Sequence, residues 1–143
     1  MDEIIVVIHI GILIMTAVAI LWADIYASGW LKGKKQTLNH VIVQRLHKAV
    51  TIGLSGMLAT GIMLFWPLRE YLVSGNNAFI VKMIFVFALV VNSLIIESYM
   101  KIATTTAFKD IPFGKKSILF VSGAVSLLSW IGATLAAFQL LSE

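Results

Sequence analysis

Residues 4–27 read IIVVIHIGILIMTAVAILWADIYA, with a single formal charge, Asp24, close to the end. The run is apolar on every face of a helix and does not alternate. An α-helix needs about 20 apolar residues to cross roughly 30 Å of hydrocarbon. In lipid only helices and closed barrels satisfy the backbone, and continuous apolarity excludes a barrel strand. The acidic start Met1-Asp2-Glu3 lacks the basic n-region of a signal peptide, so the run is expected to be a retained membrane helix.

Three further runs of this kind follow, at 41–66, 78–100 and 117–141. The marked breaks are Gly29 to Gly33 with its lysines, then Pro67 and Gly75-Asn76-Asn77, then Pro112-Phe113-Gly114. The sequence therefore predicts one all-α domain over residues 1–143: an integral membrane four-helix bundle, up-down-up-down. The stretch 104–116 (TTTAFKDIPFGKK) reads as surface-lying chain or loop.

Composition agrees. Of 143 residues, 59% are hydrophobic and only 13% charged, where a soluble domain carries about a quarter charged residues. With no cysteine, disulfides, iron–sulfur clusters and thiolate chemistry are excluded. The net charge of +4 reflects loop lysines, so no nucleic-acid partner is expected. Lys32, Lys34, Lys35, Arg45 and Lys48 lie on one side, with Lys101, Lys109, Lys115 and Lys116. The positive-inside rule then places these loops in the cytoplasm of a cell-membrane protein and both termini outside. Trp22, Trp30 and Trp66 suit interfacial belts.

Small residues recur on two helices: Gly53, Ser55, Gly56, Ala59, Thr60 and Gly61 on the second, and Ser122, Ser126, Ser129 and Ala133 on the fourth, with Gly123 and Gly132 beside them. Such faces let helix backbones approach closely. They serve packing within the chain, pairing with further copies or a larger complex, or room for a flat cofactor.

Ionisable residues inside a span are costly and mark function. Counting depth along the helices gives two polar layers. The outer one holds His9, Lys82 and Met63. The inner one holds Asp24, Arg45, His47 and Glu97, whose mixed charges can offset one another. His9 and His47 lie near opposite membrane faces, about 18 Å apart by helical rise, and cannot share one haem. A single-histidine haem b, with Met63, Lys82 or nothing opposite, remains open, since imidazole is a common axial ligand and bundle cores hold cofactors. Hydrolase and phosphate-loop motifs are absent.

His9 within Ile8-His9-Ile10-Gly11 and Lys82 within Phe79-Ile80-Val81-Lys82-Met83 resemble the early histidine and third-helix lysine of the HemJ-type protoporphyrinogen oxidase family. Arg45-Leu46 followed by small residues and Gly61 is similar as well. The CopD copper-resistance domain shares parts of this layout. Leu21-Trp22-Ala23-Asp24 stands where the first family has Trp-x-x-Gly-Leu. The resemblance implies haem b bound through His9, Lys82 as a cation for a propionate or a polar substrate group, and an oxidoreductase acting on a tetrapyrrole or another small molecule. Two other readings come from the residues alone: a non-enzymatic oligomeric subunit or scaffold in the lipid, and a small transporter of a metal, proton or anion along the polar stripe.

Overall fold

The computed structural model describes residues 2–73, 75 and 77–142, with the side chains of 2, 68, 71–73 and 140–142 left aside. Four long helices make up the fold: α1 (Asp2–Leu31), α2 (His40–Val73), α3 (Asn77–Thr105) and α4 (Phe113–Ser142). Each is long and apolar enough to cross a membrane. The apolar residues are largely outside. Ile25 is 72% exposed, Phe87 71% and Trp66 70%. A water-soluble protein rarely leaves such a continuous apolar exterior bare, whereas lipid covers it without cost. The chain is thus a four-helix, multi-pass membrane protein by the length and composition of its helices.

The helices alternate in direction and pair as two hairpins. On the first, Gly53 of α2 faces Thr16 of α1, Gly56 faces Ile12, and Thr60 bonds His9, so the chains run antiparallel. A Cβ on Gly53 would fall 2.9 Å from Thr16 Cβ, so only glycine permits this approach. On the second hairpin, Gly132 of α4 admits the ring of Phe85, and Asn92 meets Ser122. Contact within each hairpin greatly exceeds contact between hairpins. Phe65 and Phe79 stack at 5.6 Å to join α2 to α3.

The small-residue faces are therefore used inside the chain. Ser122, Ser129 and Ala133 are buried, and Gly53, Gly56 and Gly132 each lie against a side chain of the neighbouring helix. Gly123 has open space around it.

The best-buried cluster is at one end of the bundle rather than along its axis. Trp30 is 3% exposed, Leu38 6%, Ala103 8% and Ile111 4%. The 32–39 loop folds over this end: the Leu38 amide donates to the Ala103 carbonyl at 2.9 Å. The Trp30 indole N–H donates to the Thr106 carbonyl at 3.0 Å, and Phe108 sets its edge against the Trp30 ring. Both lysine-bearing loops consequently lie at the same end.

Several sequence expectations change. All four helices run past their expected limits. Pro67 lies inside α2 and does not end it; the turn is marked by Gly75 at φ +105°. Helix α1 continues through Gly29 to Leu31, and Gly33 at φ +72° follows it. Because α1 is longer, Trp30 is buried under the loops instead of lying in an interfacial belt. Trp22 and Trp66 are exposed, at 64% and 70%. Within the 104–116 stretch, 104–105 end α3 and 113–116 begin α4, which leaves 106–112 as a short connection with one 3₁₀ turn, Phe108–Asp110.

Candidate functional site

His9 lies two turns into α1, on the side facing α2. Its Nδ1 is 2.6 Å from Thr60 Oγ1. The Thr60 hydroxyl donates its one proton to the Gly56 carbonyl at 2.8 Å. With that proton on the Gly56 carbonyl the hydroxyl accepts from the ring, and a neutral His9 then carries its proton on Nδ1 and its lone pair on Nε2. No hydrogen bond reaches Nε2 among the described residues, and no fully enclosed side-chain nitrogen is left unpaired. The lone pair is therefore accessible. Gly61 lies close by: a Cβ there would come within 3.8 Å of His9 Cε1.

Lys82 stands on α3, close enough for its charge to act on the His9 ring. Its side chain is partly buried and has no hydrogen bond or ion pair among the described residues. The outer level thus brings together an oriented imidazole and an ammonium, each with an unused function. Met63 is not part of this pair. It is a turn beyond Thr60 and 56% exposed.

The inner layer divides. Asp24 and His47 line a cavity of about 270 Å³ between the two hairpins, to which all four helices contribute. Trp30 and Leu38 lie at its loop end. Arg45 and Glu97 do not line it; both are exposed, as is Asp24, whereas His47 is half-buried. The cavity begins on α1 at Ile20, about 16 Å of helical rise below His9. Thr60 and His47 are separated by about 20 Å of α2 on the same basis, so the two histidines belong to different levels.

Three polar residues matter more than sequence reading assigned. Thr60 anchors the His9 ring through Nδ1. Asn92 and Ser122 form a reciprocal pair on the cavity wall: the Asn92 amide donates to the Ser122 carbonyl at 3.0 Å, and the Ser122 hydroxyl donates to Asn92 Oδ1 at 2.7 Å. Their exposures are 4% and 6%. Asn92 carried a signal, since an amide within an apolar span needs a partner; which residue would meet it depended on helix register.

Among the described residues no group of three or more His, Asp or Glu is arranged for a bare metal ion. A haem needs less, because the porphyrin supplies four of the iron ligands. One imidazole with a free Nε2, held at Nδ1 by a hydrogen bond, is the donor that such iron takes, and an orienting partner of this kind is usual for metal-ligating histidine. The Lys82 ammonium suits an anionic side group. The outer level thus offers one imidazole of the kind a haem iron takes.

No family model, curated protein or solved structure matches the chain.

Proposed function

We propose that this protein is a membrane redox protein that holds haem b through His9. The observation that carries the reading is the His9–Thr60–Gly56 chain of hydrogen bonds, which holds the ring at Nδ1 and leaves Nε2 without a hydrogen-bond partner among the described residues. Lys82 would neutralise a propionate, or the acidic group of a substrate, at the same level. Bound there, haem supplies one-electron transfer. The residues of the chain position and tune it: Thr60 holds the imidazole, and Lys82 favours anionic partners. Oxidation of a tetrapyrrole, as in the family that His9 and Lys82 resemble, is the reaction class this pairing suits.

The loops at 32–39 and 106–112 share one end of the bundle and carry Lys32, Lys34, Lys35 and Lys109. The positive-inside rule assigns that end to the cytoplasm, with the His9 level and both termini toward the outside. Protein purified from haem-replete cells should show a Soret band that His9→Ala removes. Colourless wild-type protein from such cells would overturn the reading.

A further inference from the structure

The cavity below the His9 level contains a carboxylate that the haem reading does not use. Asp24 stands on its lining, with part of its side chain exposed outside the bundle, and has no hydrogen bond or ion pair among the described residues. A carboxylate inside a span without a partner is costly, and a bound counter-charge removes that cost. The surrounding walls are apolar and aromatic, with Tyr26, Tyr99 and Trp130 among them. Aromatic faces attract cations, more strongly where water is excluded. One of these rings already does so: Lys35 Nζ lies 4.0 Å from the Tyr26 ring centroid.

Size narrows the ligand. At the packing density of protein interiors, about 0.74, a 270 Å³ cavity is filled by about 200 Å³ of molecule. That is the volume of a phenyl ring bearing a small quaternary amine. The uncharged polar groups on the lining are largely engaged with the protein: Asn92 and Ser122 bond each other, and the Thr51 hydroxyl donates to the His47 carbonyl. The lining therefore offers one unpaired carboxylate, the His47 imidazole and a largely apolar surround.

We propose that the cavity between the two hairpins is a binding site for a small lipophilic organic cation, with Asp24 as its counter-ion and Tyr99 and Trp130 as its aromatic walls. The site is independent of haem at His9, lying on a different level of the bundle.

The probe is radiolabelled benzyltrimethylammonium, measured by scintillation proximity on purified protein in detergent. Neopentylbenzene, which has the same shape without the charge, is the competitor. Saturable binding at one site per chain is expected. Asp24→Asn should weaken it by about tenfold, the scale of one charge contact at the intermediate dielectric of a partly exposed site. Asp24→Glu should restore most of the affinity, and neopentylbenzene should compete only weakly. Far-UV circular dichroism on each variant confirms that the helices are intact. Non-saturable binding by the wild type overturns the proposal. So does equal affinity in folded Asp24→Asn, or equal competition by the neutral isostere.

Discussion

Replacing Gly53 by alanine tests the close approach of α1 and α2. The added methyl would overlap Thr16 Oγ1 and fall 2.9 Å from both Cβ and Cγ2 of Thr16, where carbon atoms prefer about 3.5–4.0 Å. Thr16 is poorly placed to yield. It is 2% exposed, and its hydroxyl donates to the Ile12 carbonyl at 2.7 Å. The helices must therefore separate by about an ångström, loosening Gly56 against Ile12 and Thr60 against His9. Overpacking of this kind costs about 1–3 kcal/mol. Part of the cost should return on making the opposite position small. In a cycle of Gly53→Ala, Thr16→Gly and the double variant, the double should be more stable than additivity allows by about 1 kcal/mol, within the range for contacting residues. The assay is unfolding in mixed micelles with increasing SDS, followed by circular dichroism. A neutral Gly53→Ala, or strict additivity in the cycle, would refute the close-approach reasoning.

Asn92→Leu should destabilise the bundle by about 0.5–2 kcal/mol, the span measured for hydrogen bonds between membrane helices; adding Ser122→Ala should cost little more, because its side-chain partner has already gone, and the same SDS titration reads both. Thr60→Val removes the acceptor for His9 Nδ1 and should lower haem affinity about 10–100-fold, as loss of an orienting partner does for other metal ligands; haemin titration followed by absorbance checks it. Trp30→Phe deletes the indole bond to Thr106, a loss of about 1 kcal/mol; trypsin should then cut at the 32–35 lysines about fivefold faster wherever cleavage follows loop opening. Because the chain has no cysteine, single substitutions report sidedness directly: an impermeant maleimide should label Arg69→Cys in intact cells, and Lys34→Cys only after lysis.

Much of the architecture was legible because lipid imposes a simple rule. Long apolar runs became four helices, and Gly53, Gly56 and Gly132 took the close-packing roles that small residues predict. Punctuation was less reliable. Pro67 removes one backbone donor, which a long helix tolerates, so α2 continues until the turn at Gly75. Counting rise gave depth, yet it carried no information on azimuth. His9 and Lys82 lie close enough to act on one another electrostatically, while Met63, a turn further out, is exposed. Asp24, Arg45, His47 and Glu97 share a level too, yet only Asp24 and His47 line the cavity. Trp30 was misplaced because its burial depends on two loops folding back, a long-range event without a local signature. Thr60 and the Asn92–Ser122 pair depend on register between helices, which a single sequence does not encode in any pattern readable along the chain.

The most direct test of the account is a titration of haemin into the purified protein in detergent, with wild type and His9→Ala compared by their Soret absorbance. The account predicts saturation at one haem per chain for the wild type and no specific Soret shift for folded His9→Ala. Equal binding by the two proteins, or no saturable binding by either, would contradict it.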